Sequence, residues 1–252
     1  MSQKISLQQL ESFLWESADI LRGNLDPSEF KDYIFAIMFL KRISDSFDEE
    51  QEKIIHEFKK KEKKENEIKK FITDPVQYDN FFIPQKSHWN FIKDIHHDIG
   101  AELNKAVELI EEENSILEGV LVSIDFNKKD KLPDNKLRDL ISHFNKHRLR
   151  NSDFEKSDLM GSAYEYLIKM FADTAGKKGG EFYTPGEVVE LIVNLIDPKA
   201  GMRIYDPTCG SGGMLIQSRN YLVENGEDPR NISLFGQEMN QGTWAICKMN
   251  MF

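Results

Sequence analysis

Cysteine is nearly missing from this sequence: 252 residues hold two, Cys209 and Cys247. Neither belongs to a C-x-x-C pair, so no disulfide framework can form, and the usage fits a reducing compartment such as the cytoplasm. No apolar run approaches the roughly 18–20 residues a membrane-spanning helix needs. Residues 1–20 carry polar and acidic groups throughout, unlike a secretory leader, and no membrane role is expected. Positive charge is in deficit, with 33 Lys and Arg against 43 Asp and Glu and a net charge of −10. Proteins that hold nucleic acid unaided are usually basic, so such binding would fall to a local basic stripe or to a partner. There is no G-x-x-x-x-G-K-[ST] phosphate cradle, and no two of the eight prolines are adjacent. What is present, 40% hydrophobic residues at a mean hydropathy of −0.52, reads as globular. The length suffices for one large or two ordinary domains.

The chain is organised around Ile204-Tyr205-Asp206-Pro207-Thr208-Cys209-Gly210-Ser211-Gly212-Gly213-Met214-Leu215. Ile204 and Tyr205 are β-prone, Asp206-Pro207 breaks the strand, and Met214, Leu215 and Ile216 resume as the apolar face of a helix. Strand, glycine loop and helix together open a nucleotide-binding α/β sheet. Gly210, Gly212 and Gly213 permit positive φ and let a ligand lie against bare backbone. Their spacing departs from G-x-G-x-x-G. Asp206, ahead of the glycines, suits a ligand with a cationic end, such as the ammonium and sulfonium of S-adenosylmethionine.

A second element, Gly180-Glu181-Phe182-Tyr183-Thr184-Pro185-Gly186-Glu187, precedes it. Here Thr184 reads as an N-cap, Pro185 as the first helical residue and Glu187 as the closing member of a capping box. The helix that follows shows Val188, Val189, Ile192, Leu195 and Ile196 as its apolar face. Phe182 and Tyr183 either wall a pocket beside the first strand or pack over the helix start. Downstream, the glycine-loop helix runs to about Asn225-Gly226, and Ile232 to Gly236 reads as a second strand. Gln237-Glu238 closes that strand, where an acid accepts both hydrogen bonds of a ribose diol. An amphipathic helix through Trp244, Cys247 and Met249 follows.

The N-terminal half is helical in pattern. Ser6 and Gln9 make a capping box before Leu7, Leu10, Leu14, Ala18 and Leu21, and Gly23 is a stop. A second helix opens at Asp26-Pro27-Ser28-Glu29. Its apolar residues, Phe30 to Ile43, cover more than one face, as in the central helix of a bundle. Residues 49–70 are highly charged with lysines and glutamates nearly balanced, which reads as a solvated helix or a mobile excursion in preference to a DNA arm. Residues 76–92 form an aromatic loop that lids the bundle. From Ile92 to Ile124 the pattern is mainly helical, interrupted near Gly119, and a further helix follows Pro133. His143 and His147 stand at metal-binding spacing, but no third ligand is apparent and no metal site is assigned. The basic run from His143 to Arg150 is the local candidate for a phosphate or partner contact, or else a helix C-terminus enriched in cations. A boundary near Asn151-Ser152-Asp153 divides a helical domain, 1–150, from the α/β domain, 151–252. A helix over Asp158 to Phe171 and a glycine–lysine loop, 176–180, lead into the latter.

Gly-Glu-Phe-Tyr-Thr-Pro followed by Asp-Pro-Thr-Cys-Gly-Ser-Gly-Gly-Met resembles the modification subunit of type I restriction–modification systems, which are DNA adenine-N6 methyltransferases. Leu21-Arg22-Gly23-Asn24, Phe39-Leu40-Lys41-Arg42-Ile43-Ser44-Asp45, Leu132-Pro133-Asp134 and Leu140 to Phe144 resemble that family's helical N-terminal domain. The likeness implies a Rossmann-like S-adenosylmethionine-dependent methyltransferase domain, of which this chain holds the start. It implies cofactor binding by Glu181, Phe182, Tyr183, Thr184, Pro185, Gly186, Asp206, Gly210, Ser211, Gly212, Gly213 and Glu238, with Gln237 the weaker of the last two neighbours. It also implies double-stranded DNA as substrate, a separate specificity subunit that reads the target, and a restriction subunit as partner. The family's catalytic Asn-Pro-Pro-aromatic tetrad has no counterpart here, since no prolines are adjacent. The expectation is an N-terminal fragment that does not methylate alone and whose incomplete sheet could self-associate. Other adenine or protein methyltransferases with the same cofactor unit are disfavoured by the long helical half. A non-enzymatic helical interaction module with a vestigial nucleotide loop is the alternative.

Overall fold

The computed structural model describes residues 4–23, 25, 27–78, 81–121, 124–154, 166–167 and 184–251. The chain divides into two compact units, 1–163 and 164–252.

The first unit is helical. Helix α1 (Leu7–Leu21) starts on the Ser6–Gln9 capping box, with both reciprocal hydrogen bonds formed. It buries Leu10, Phe13, Leu14, Ala18 and Leu21, while Leu7 of the expected stripe stays exposed. Helix α2 (Pro27–Lys60) is the central element. Every residue from Tyr33 to Lys41 is buried, so the helix is enclosed all round, as its two-faced apolar pattern requires. Its second half carries the charged segment on as solvated helix and turns back through residues 61–64 into α3 (Glu65–Ile72), against which it packs. The aromatic loop does cover the bundle. Phe81, Ile83, Trp89 and Ile92 are buried, the last two in a short helix α4 (Trp89–Ile92), whereas Phe91 is exposed. Asn114 holds the loop as a strand neighbour would, accepting from the Phe82 N–H at 2.9 Å and donating to the Phe82 carbonyl at 2.8 Å.

The long helical pattern from Ile92 to Ile124 proves shorter. Helix α5 spans Ile99–Glu113 and ends at Asn114. Gly119 (φ +75°) lies in a loop whose N–H, with that of Leu121, is held by the Glu111 carboxylate. Those side-chain acceptors replace the helical bonds that the apolar spacing suggests. Helix α6 (Asp134–Phe144) follows Pro133 as expected and packs on α1, α2 and α5. Ile5 bridges Phe154, which brings the chain at 153–154 back beside the start of this unit.

In the second unit, after the described residues 166–167, comes helix α7 (Gly186–Ile196). Strand β1 (Arg203–Asp206), helix α8 (Gly213–Glu224) and strand β2 (Ser233–Gly236) form one parallel β-α-β crossover, with Arg203 opposite Ser233 and Asp206 opposite Gly236. Helix α9 (Gln241–Asn250) completes it. One sheet face, Ile204 and Leu234, packs on Leu215, Cys209 and Cys247. The other face carries Arg203, Tyr205, Ser233 and Phe235, all exposed. The architecture is thus a predominantly helical unit followed by the start of a Rossmann-like sheet.

The expected capping box at the start of α7 does not form. Pro185 (φ −54°, ψ 140°) is itself the N-cap, and no side chain caps the helix. The helix begins one residue later than expected, so the Thr184 hydroxyl is too far out to reach the first-turn N–H groups. Its apolar face is also displaced: Val189 and Val193 are buried, while Val188, Leu195 and Ile196 are exposed.

Candidate cofactor site

Asp206 is the last residue of β1, and its side chain turns the chain by accepting the Thr208 N–H at 3.0 Å. The glycine loop is then laced to the end of β2. The Gln237 N–H donates to the Asp206 carbonyl at 2.9 Å, and the Cys209 N–H donates to the Gln237 carbonyl at 2.9 Å. These two bonds carry the ladder past the last paired residues and fix the loop above the strand ends, where open α/β sheets bind ligands.

Gly210 and Gly212 both have positive φ, +54° and +87°. Their surroundings differ. A Cβ on Gly210 would meet nothing within 4 Å, whereas a Cβ on Gly212 would stand 2.9 Å from the Cys247 sulfur. Gly210 therefore borders open space, and Gly212 is a packing position against α9. Gly213 opens α8 behind the Gly212 N-cap, where no side chain caps the helix. Ser211 is anchored by its carbonyl, which accepts from the Asn250 amide at 3.0 Å.

Glu238 lies against this loop. One carboxylate oxygen accepts the Gly210 N–H at 3.1 Å and the other accepts the Asn240 N–H at 2.8 Å. The adjacent Gln237 side chain turns elsewhere and accepts from the Tyr205 hydroxyl at 2.9 Å. Glu238 thus rests on the Gly210 backbone, four residues after the acid that ends β1. Of the other expected site residues, Thr184, Pro185 and Gly186 form the exposed start of α7. Glu181, Phe182 and Tyr183 lie outside the described residues, as do the 176–180 loop and most of the 158–171 segment.

Three contributors carried no obvious sequence signal. Gly236 lets β2 approach the loop, since a Cβ there would sit 2.8 Å from the Cys209 sulfur. Asn250 holds Ser211 from a helix 39 positions away in sequence. Cys209 and Cys247 are buried with sulfurs 3.8 Å apart, and burial pushes both thiols up, Cys247 to about 12. They pack as small apolar groups between loop, strand and helix. The only available hint was a glycine at a strand end.

The two histidines of the first unit do different work. His143 is buried and stacked on Phe13 at 4.1 Å; its Nε2 donates to the Phe13 carbonyl at 2.8 Å and its Nδ1 faces the Lys146 ammonium. The basic run around it is largely spent internally. Arg150 makes a bidentate pair with Glu52, and Arg148 pairs with Asp153.

Family comparisons agree with this layout. The model described as "HsdM N-terminal domain" matches residues 10–144, more than half of the chain, and that described as "N-6 DNA Methylase" matches residues 155–252. The chain belongs to the methylase-subunit family of type I restriction–modification systems. Among relatives, it is 30% identical to the type I restriction enzyme MpnII methylase subunit of Mycoplasma pneumoniae, over 96% of this chain and 49% of the relative. To the MjaIX methylase subunit of Methanocaldococcus jannaschii it is 27% identical, over 96% and 45%. A crystal structure of the type I restriction–modification system methyltransferase subunit from Streptococcus thermophilus superposes with a TM-score of 0.79 at 26% identity, covering 97% of this chain and 55% of that one. The chain spans about half the length of the relatives it matches. Among the described residues, no helix is long and apolar enough to cross a membrane.

Proposed function

We propose that this chain binds S-adenosylmethionine as part of a DNA adenine-N6 methylase whose target sequence is read by a separate specificity subunit and which works alongside a restriction subunit. The observation that carries the reading is the Glu238 carboxylate resting on the N–H of Gly210, a loop glycine that borders open space. Glu238 is already turned toward the loop, so exchanging the Gly210 N–H for the hydroxyls of a ribose needs no refolding. Asp206 puts negative charge at the end of β1, which favours the cationic end of the cofactor. Gly210 and Ser211 offer backbone at close approach. Thr184, Pro185 and Gly186, with Glu181, Phe182 and Tyr183 before them, are assigned to the methionine side, as the family resemblance implies. When bound, S-adenosylmethionine supplies an electrophilic methyl on its sulfonium. Positioning the target amine is left to the tetrad that these 252 residues lack, so no methyl transfer is expected from this chain alone.

The test is calorimetric titration of the chain with S-adenosylmethionine. Gly210→Asp is the informative variant. An aspartate tolerates a φ near +54°, projects into the open space and opposes Glu238. Gly212→Asp would instead strike the Cys247 sulfur and confuse binding with folding. Parent binding with at least a tenfold loss in Gly210→Asp supports the site. A folded parent that does not bind overturns the assignment and favours the interaction-module alternative.

A further inference from the structure

The charged segment of α2 and α3 is nearly balanced as a whole, but its two signs are unevenly distributed along it. Between positions 59 and 70 stand seven lysines against three glutamates, on a chain whose net charge is −10. The acids Glu49, Glu50, Glu52 and Glu57 lie lower on the α2 shaft, and Glu52 is bound to Arg150 of the bundle. Beyond that anchor α2 runs about 12 Å further to Lys60, at 1.5 Å per residue. There the chain reverses. The Lys63 N–H bonds the Phe58 carbonyl and the Glu62 N–H bonds the Lys59 carbonyl, with Glu62 at φ +54°. This is a Schellman closure made without glycine. Packing of the Phe58 ring against the tilted Phe71 ring at 4.4 Å and burial of Ile68 hold the hairpin together, so the tip is built rather than frayed.

All seven lysines are exposed. Among them a single ion pair forms, Lys63 to Glu67 at 3.8 Å, and it is exposed on both sides. The helix dipole accounts for Lys59 and Lys60 at the C-terminal end of α2, but Lys63 and Lys64 stand at the positive end of α3, where cations are disfavoured. The helix dipoles therefore account for Lys59, Lys60, Lys69 and Lys70 in the last turns of α2 and α3, but not for Lys61, Lys63 and Lys64 in the reversal, which a left-handed glutamate closes.

We propose that the α2–α3 tip is a contact for the phosphate backbone of duplex DNA, sequence-independent and separate from the cofactor loop. DNA as the polyanion rests on the methylase reading above; the cationic surface does not. Lysines act on phosphates as point charges, so the contact adds affinity and salt dependence without reading bases.

The test uses the whole chain in fluorescence anisotropy with a labelled duplex of arbitrary sequence, across a salt series. The tip variant replaces Lys59, Lys60, Lys61, Lys63 and Lys64 with Gln. A charge-matched control replaces Lys4, Lys86, Lys93, Lys105 and Lys128, and circular dichroism verifies that each protein is folded. Expected is at least a tenfold loss of affinity at low salt for the tip variant alone. The log–log salt slope should fall by about 0.9 for each lysine that touches a phosphate. Equal losses in both variants, or none in either, overturn the proposal, as does a parent that binds no duplex. S-adenosylmethionine titration of the same proteins separates the two readings. Intact cofactor binding without a tip effect removes the tip proposal alone. A tip effect without cofactor binding removes the methylase reading and leaves the tip as a DNA contact.

Discussion

Lys41 and Asp45 are both buried in the centre of α2 and bonded to each other. Asp45 also accepts the Leu149 N–H at 2.7 Å, and the Lys41 ammonium sits 5.5 Å from the Trp89 ring centre. Burial raises the Asp45 carboxyl above its ordinary range while Lys41 pulls it back. Removing one partner strands the other, so Asp45→Ala should cost about 3–5 kcal/mol in urea unfolding of the first unit. A paired Lys41→Met, Asp45→Leu replacement should cost far less. Equal losses would show that the pair is not coupled. His143 titrates oppositely: burial, with Lys146 and His147 nearby, lowers it below 6.5, against the Phe13 carbonyl and Glu16. The neutral ring is thus the folded form. Its contribution is present above pH 6.5 and is lost as pH falls through the lowered value. Between pH 7 and 5 the parent should lose stability more steeply than His143→Gln, and parallel curves would count against this. Gly236 is the residue-scale test of the site. Gly236→Ala must displace the Cys209 sulfur, so cofactor affinity should drop together with about 1–3 kcal/mol of stability. Unchanged calorimetry would mean the loop has slack.

Elements begin where their caps allow. The Ser6–Gln9 box starts α1 where the spacing predicts, because the side chains that satisfy the first N–H groups are local. Ser6→Ala should lower the stability of the first unit by about 1 kcal/mol, seen as a shifted thermal midpoint; no shift would mean that α1 is held by packing alone. Thr184 and Glu187 carry the same signature but do not cap α7, because Pro185 keeps the extended ψ of an N-cap. The second half of α2 shows the opposite case. Its widely spaced Ile54, Ile55 and Phe58 are too few for a buried helix, yet α3 packs Phe71 on Phe58 as the other arm of a hairpin.

At the scale of the molecule, the consequence of a sheet with two strands among the described residues is exposed surface. Tyr205 is 58% and Phe235 44% exposed on the face opposite Cys209 and Leu215, with the Arg203 guanidinium 4.9 Å from the Phe235 ring. Self-association should therefore rise with concentration in sedimentation velocity and weaken in a Tyr205→Ser, Phe235→Ser variant; a monomer at every concentration would argue that this face is inert. Local chemistry settled much about this protein in advance. Periodicity marked α1, α2, α6, β1, β2 and both helices flanking β2, and Asp206 with its glycines marked the loop, because these features depend on neighbours in sequence. Tertiary structure decided the rest. It turned Glu238 rather than Gln237 onto Gly210, made Gly212 a packing position and Gly210 the open one, and ended α5 at Asn114 through the bonds of Glu111 to a loop. It also folded the lysine-rich end of the charged run into a hairpin tip and anchored the acidic stretch before it on Arg150. Each of these depends on which atoms become neighbours after folding, and a linear pattern holds no record of such distances.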